Sequence, residues 1–326
     1  MLVRRLHEPR RSATLLVVLL GLSCCLRAGA QERTSESDKS DRPSGIAASR
    51  ADLLAMTRLW KGERYPDGRP RVPDDLLRRM KEVKIEEAWD VLRQRGYESQ
   101  FAAGWKMIHP DRPFVGRALT AAYLPGRPDL VDRVMQTGKR EGRIGPSNSW
   151  PIDMLQKGDV YIADGCGKIA DGTLIGDNLG NSIFAKTGTG VVFDASARDL
   201  DGLRQIEGFN ACVRGWDPSF LKNMVLVSIN RPIRVGMVTV LPGDVILARH
   251  EGVIVIPAHL AEEVVITAEV VALKDEFGHL RLREGVYTPG QIDVPWTASI
   301  KADFFRWLKE RPSRPPTPDA AIKKHL

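Results

Sequence analysis

The chain has 326 residues, 43% of them hydrophobic and 27% charged, with a formal charge of +7; this is long enough to bury a sizeable core. The basic excess is local: residues 1–30 hold five Arg against one Glu, so +4 of the +7 lies there and the remainder carries +3. With no basic stripe interleaved with aromatics, this charge distribution argues against nucleic-acid binding.

The first 30 residues read as a signal peptide. Arg4, Arg5, Arg10 and Arg11 form a basic head, Ala13 to Leu22 an apolar run, and Ala28-Gly29-Ala30 a small-residue cleavage site before Gln31. The apolar run is too short for a comfortable transmembrane span. An exported protein, periplasmic or secreted, is expected; Leu22-Ser23-Cys24-Cys25 resembles a lipoprotein box, which makes a lipid anchor at Cys25 the alternative. Of the four cysteines, two fall in this leader, leaving Cys166 and Cys212. An exported pair can form a disulfide, but free thiols fit the sequence equally well. No CxxC or HExxH motif is present, which argues against structural zinc.

Residues 31–48 are polar and Ser-rich, as in a disordered linker. The stretch from Ala51 to Gly104 reads as largely helical. Pro73-Asp74-Asp75 opens one helix carrying Leu76, Leu77, Met80 and Val83, and the run from Ile85 to Leu92 forms another, ending near Gly96. Phe114 to Tyr123 reads as a strand, and a Pro/Gly/Asn-rich connection spans Gly145 to Pro151.

Gly158 to Asp199 is the most informative stretch. The runs DVYIA and GVVF are apolar and β-branched, as in buried parallel strands. A glycine-rich loop follows the first. Gly176-Asp177 then precedes NLGNSIFAKT, a helix with Asp177 as the expected N-cap, whose free amides can hold an anion. Gly188-Thr189-Gly190 ends that helix, and the second strand runs out at Arg198-Asp199. Alone, these charged residues read as a surface ion pair and a helix cap. Both, however, follow elements of one parallel βαβ unit and so can face one crevice at the carboxyl ends of its strands.

Two phosphate-binding readings fail. Gly165-Cys166-Gly167-Lys168-Ile169-Ala170 fits G-x-G-x-x-A, but a dinucleotide site needs a helix opening from those glycines, and Gly172, Gly176 and Gly180 break it. Lys186-Thr187 lacks the preceding phosphate-loop glycines. Beyond Asp199 come a short helix closed at Gly208, a strand over Asn210 to Val213, and several short β runs separated by Gly and Pro-Gly-Asp turns. Ala258 to Val271 is helical, and residues 311–326 read as a flexible Pro-rich tail. The simplest organisation is one α/β domain over residues 50–310.

GRALT at 116–120, KGDVYIADG at 157–165, GDNLG at 176–180, GTGVVFDASARD at 188–199, GFNACVRG at 208–215, VGMVTVLPGDVI at 235–246 and EGVIVIP at 251–257 together resemble the RraA-like family, which includes the class II 4-hydroxy-4-methyl-2-oxoglutarate (HMG)/oxaloacetate aldolases. The resemblance covers roughly residues 110–260. It implies a swivelling β/β/α-type fold, here with a helical N-terminal extension, assembled as a homotrimer or hexamer with sites near subunit interfaces. It further implies that Asp199 ligates Mg²⁺ or Mn²⁺ and that Asp177 holds metal-bound waters. Gly176, Asn178 and Leu179 would then cradle the carboxylate of a small oxo-acid, and Arg198 would offset charge on its enolate oxygen. On that reading the protein is a metal-dependent lyase acting through enolpyruvate; the alternative is a non-catalytic binding or regulatory protein on the same scaffold.

The sequence departs from the family pattern at three points. Ala195 follows Asp194 where the family commonly has Gly, which would be costly if that position needed a positive φ. The turn before GVIVIP carries Arg249-His250-Glu251. Glu276 and Glu284 are candidates for the glutamate that a neighbouring subunit contributes in the aldolases.

Overall fold

A computed structural model describes residues 45–326. The leader over residues 1–30 and most of the linker lie outside the described residues. The last linker residues are already part of the fold: Ile46 is buried, and the Ala48 amide donates to the Ile229 carbonyl at 2.9 Å.

The N-terminal extension contains α1 (Arg50–Met56), α2 (Asp74–Met80) and α3 (Ile85–Gln94). Ser49 caps α1, its hydroxyl accepting from the Asp52 amide at 3.1 Å. The expected helical stretch is interrupted over residues 57–73, where Pro66, Gly68, Pro70 and Pro73 deny a helix its donors and its backbone geometry.

The central sheet has nine strands. β1 (Phe101–Ala102) and β2 (Lys106–Met107) are short pieces at its opposite edges; β3 (Phe114–Pro125), β4 (Asp159–Thr173), β5 (Gly190–Ala197) and β6 (Asn210–Trp216) lie side by side and parallel. β7 (Met224–Ile229) runs antiparallel along the upper half of β3. β8 (Ile233–Val235) and β9 (Val238–Val240) form a separate hairpin. β10 (Val245–Arg249) and β11 (Gly252–Ile256) extend the sheet antiparallel beyond the lower half of β3. All eight residues of β5 are buried, because both faces of the sheet are covered. Phe193 points into a core shared with Tyr161, Ile183 and Leu203, and Val192 into one shared with Ile162, Cys212 and the β8–β9 hairpin.

α4 (Pro128–Arg140) and α5 (Trp150–Asp153) connect β3 to β4; α4 was not anticipated, although Pro128 stands at its start. α6 (Asp177–Thr187) joins β4 to β5, and α7 (Leu200–Arg204) follows β5. The long α8 (Ala261–Arg283) packs on α2 and α3 through Val264, Val265 and Ala268, against Leu77, Ala88 and Val91. The molecule is thus a mixed α/β fold with a mostly parallel centre and a helical N-terminal region.

Two local expectations need correction, and one open alternative is decided. The glycine-rich segment after DVYIA is not a free loop. β4 continues to Thr173, its register with β5 skipping from Asp164 to Lys168 and then to Thr173, with Cys166, Gly167 and Asp171 at positive φ where it bulges. Cys166 and Cys212 are both free, one exposed on that bulge and the other buried in the sheet. The C-terminal segment read as a flexible tail carries α11 (Asp319–Lys324) after α9 (Pro289–Ile292) and α10 (Ala298–Glu310). Its Ile322, 1% exposed, joins Phe277, Trp296 and Phe304 in a cluster that needs a cover.

Candidate active site at the carboxyl ends of two parallel strands

β4 and β5 end side by side, and the segments leaving them are stitched together. The Leu174 amide donates to the Ser196 carbonyl at 3.0 Å, and the Arg198 amide to the Ile175 carbonyl at 3.0 Å. This places the start of α6 beside Arg198 and Asp199. Asp199 adopts a left-handed conformation (φ 55°) as the residue before α7. A non-glycine residue held there is uncommon and is often tied to function.

Glycines make room for both carboxylates. A Cβ on Gly176 would run into Asp199 Oδ2 and come within 3.0 Å of Arg198 Nε; a Cβ on Gly202 would lie 2.6 Å from Asp177 Oδ2. Arg198 Nε lies 3.2 Å from Asp199 Oδ2, each side chain being 40% exposed. An ion pair so open to water contributes only about 0–1 kcal/mol, so both groups are free to exchange partners with a ligand.

The cap of α6 differs from expectation. Gly176, with extended backbone, is the N-cap, and Asp177 is the first helical residue, its Oδ1 accepting from the Asn178 amide at 2.8 Å. The Asn178 amide is therefore engaged within the helix start. The Leu179 amide has no acceptor among the described residues. The Gly180 amide donates to the Gly176 carbonyl at 2.9 Å, closing the first turn. Gly188, left-handed at φ 67°, ends the helix as anticipated.

Gly176, Asp177, Asn178, Leu179, Arg198 and Asp199 all line one cleft of about 100 Å³. Asn148, Phe220 and Leu221 line it too, and sequence reasoning missed them. Asn148 donates to the Leu174 carbonyl at 2.9 Å; its only sequence signal was a turn-rich composition. Phe220 and Leu221 sit between strands, where no periodicity marks them.

Among the described residues, no group of three or more His, Cys, Asp or Glu converges. The donors available are two carboxylates cradled against glycines, with solvent access. Mg²⁺ characteristically takes one or two carboxylates and keeps several waters, and Mn²⁺ shares its preference for oxygen; the residues present fit such an ion. Glu284 and Glu276 are engaged within this chain, with Arg281 and Arg311, each at 2.7 Å. His250 pairs with Glu251 at 3.2 Å in the exposed β10–β11 turn. Lys168, half-buried, donates to the Lys222 carbonyl, and Lys186, exposed, approaches the Asp153 carbonyl. The segment matching G-x-G-x-x-A lies on the β4 bulge and opens no helix. Ala195 sits within β5 rather than at positive φ, its Cβ turned toward Gly165.

A family model described as RraA-like, Aldolase/RraA, matches residues 85–255. The DlpA protein of Legionella pneumophila is 26% identical over 202 residues, which is 62% of this chain and 31% of that protein; the chain thus spans about a third of this relative's length. An uncharacterized protein from Pseudomonas syringae pv. tomato superposes with a TM-score of 0.56 at 23% identity, over 71% of this chain and 98% of that one. Streptomyces coelicolor RraAS2, described as an unusual member of the RNase ES inhibitor RraA family, gives 0.55 at 24% identity, over 65% of this chain and all of that one. These structural likenesses establish the shared fold.

Proposed function

The chain belongs to the RraA-like family, and on that premise we propose that it is a divalent-metal-dependent lyase that cleaves or decarboxylates a pyruvate-derived oxo-acid. One observation carries the reading: the start of α6, the Arg198 guanidinium and the Asp199 carboxylate meet in a single solvent-open cleft. The family holds both aldolases and ribonuclease inhibitors, so this constellation, not the fold, is the argument.

The chemistry needs these groups. In cleavage of a 4-hydroxy-2-oxo acid the C3–C4 bond breaks and its electron pair moves toward the C2 oxygen. The C4 hydroxyl proton leaves, a carbonyl compound departs, and C3 takes up a proton to give pyruvate. Decarboxylation of oxaloacetate releases CO₂ through the same enolate. Arg198 is assigned to the C2 oxygen, where its charge offsets the developing enolate. The Leu179 amide and the positive end of α6 are assigned to the substrate carboxylate. Asp177 Oδ2, without a hydrogen-bond partner among the described residues, is assigned to moving the hydroxyl proton. Asp199 would ligate Mg²⁺ or Mn²⁺ and Asp177 would hold its waters; the ion when bound supplies Lewis-acid stabilisation of negative charge at the keto oxygen. Export, carried by residues 1–30, and assembly as a homotrimer or hexamer belong to the same proposal.

The test is pyruvate release from HMG and from oxaloacetate, with and without Mg²⁺ or Mn²⁺. Metal-dependent turnover is expected, lost in Asp199→Ala together with calorimetric metal binding. Arg198→Ala is expected to lower the rate by about 10²–10³-fold, as removal of one oxyanion-stabilising donor does. Absence of both turnover and metal binding in the wild-type protein would move the assignment to a non-catalytic binding protein.

A further inference from the structure

The candidate cleft is lined by unlike groups: the α6 start, Arg198 and the two carboxylates, and with them the apolar side chains of Phe220 and Leu221. Phe220 is 59% exposed, and Leu221 leans on the core beneath it. A single exposed aromatic is ordinary, but the segment presenting this one is tightly built. The Asp217 amide donates to the Ala197 carbonyl at 3.1 Å, tying the loop to the end of β5. Asp217 Oδ1 accepts from the Ser219 amide at 3.0 Å, and the Asp217 carbonyl accepts from the Thr173 hydroxyl at 3.2 Å. Ser219 Oγ accepts from the Asp171 amide at 2.9 Å, and the Lys222 amide donates to the Asp171 carbonyl at 3.0 Å. The β4 bulge thus serves as an anchor that holds Phe220 and Leu221 over the cleft, an arrangement that lowers the ordering cost of binding.

Charge points the same way. Among the described residues Arg198 is the one cation lining the cleft, facing Asp177 and Asp199. Nearby Lys222 is not among the residues lining the cleft; its Nζ lies 3.6 Å from Asp171 and 4.9 Å from the centre of the Phe220 ring. A divalent ion held by Asp199, together with Asp177 and Arg198, would leave one net positive charge, which one substrate carboxylate neutralises. A second carboxylate would meet Phe220 and Leu221, whose side chains offer it no hydrogen-bond donor, whereas an alkyl or aromatic group gains apolar contact with them.

Resting on the lyase reading, we propose that Phe220 and Leu221 are specificity-determining residues that select oxo-acids bearing an uncharged, apolar group beyond C3 over dicarboxylates. The preferred cleavage substrate is therefore a 4-hydroxy-2-oxo acid with alkyl or aromatic substituents at C4. Its retro-aldol products are pyruvate and an apolar aldehyde or ketone.

Two matched pairs of probes test this. For turnover, HMG is compared with 4-hydroxy-4-methyl-2-oxopentanoate, in which a methyl replaces the distal carboxylate and the products are pyruvate and acetone. For binding without cleavage, calorimetry compares 2-oxopentanoate with 2-oxoglutarate. The methyl-bearing member of each pair is expected to be favoured by at least about tenfold, the scale set by small apolar-pocket differences. Phe220→Ala should lower that preference by a similar factor through the apolar ligand alone, and Leu221→Arg should shift it toward the dicarboxylate. Equal or tighter 2-oxoglutarate binding in the wild type, or a ratio unmoved in Phe220→Ala, overturns the assignment of the wall. Failure to release pyruvate from either cleavage substrate overturns the lyase reading instead, while the calorimetric pair still decides the selectivity.

Discussion

Ala195 and Gly165 show how a departure from the family pattern is absorbed at the level of one side chain. Ala195 is 1% exposed in β5 and needs no left-handed backbone. What it needs is an empty space opposite, and Gly165 supplies it: a Cβ there would stand 2.6 Å from the Ala195 Cβ. Gly165→Ala should therefore destabilise by about 1–3 kcal/mol through overpacking. Adding Ala195→Gly should recover most of the loss. Urea unfolding of the two single variants and the double checks the coupling; strictly additive losses would show that the two positions do not oppose each other. Asp199 is the opposite case: a non-glycine residue held at positive φ, where the strained geometry coincides with the site.

The irregular run between α1 and α2 is fastened to the sheet by buried charge. Arg69, 0% exposed, lies between Asp67 at 2.8 Å and Asp159, the first residue of β4, at 3.0 Å. Beside it, Arg117 of β3 donates to the Val72 carbonyl and pairs with Asp74 of α2. Burial pushes the Asp159 carboxyl up, with Arg69 opposing that shift, and Asp159 Oδ1 has no partner. Removing one partner of such a pair strands a buried charge, so Arg69→Ala should cost about 3–5 kcal/mol. Replacing both, as Arg69→Met with Asp159→Leu, should cost less than the single change. Denaturant midpoints distinguish these; a single variant as stable as the wild type would show that the clasp is dispensable.

For the whole molecule, the pH at which the fold is strongest depends on Asp244, a carboxyl that burial keeps protonated over much of the acid range. Asp244 is 6% exposed, and desolvation pushes it up to about 7 although the Leu241 amide donates to it at 2.8 Å. An unfolded Asp titrates near 3.9. Between roughly pH 4 and pH 7 the native state therefore holds a proton that the unfolded state has released, and this contribution to stability falls as pH rises through that window. Asp244→Asn should lack its share of this slope, so its Tm relative to wild type should rise between pH 5 and pH 8. A difference independent of pH would place the titration elsewhere.

Much of the fold was legible because its signals are local. The apolar runs of β4 and β5, the glycine that stops α6 and the placement of Asp177, Arg198 and Asp199 at strand ends all follow from near-neighbour patterns and the parallel βαβ rule. What the sequence left open depends on residues distant along the chain. Arg69 meets Asp159 across 90 positions, and Asp171 meets Ser219 across 48. The Pro-rich end is held by Ile322 entering a cluster with Phe277 and Phe304, which composition cannot foresee. The two thiols stay apart because one is buried in the sheet and the other rides on a bulge. The sequence by itself singled out the charged residues that line the cleft. Only the tertiary structure decided that Phe220 and Leu221 line it with them, because burial and long-range hydrogen bonds leave no period in the chain.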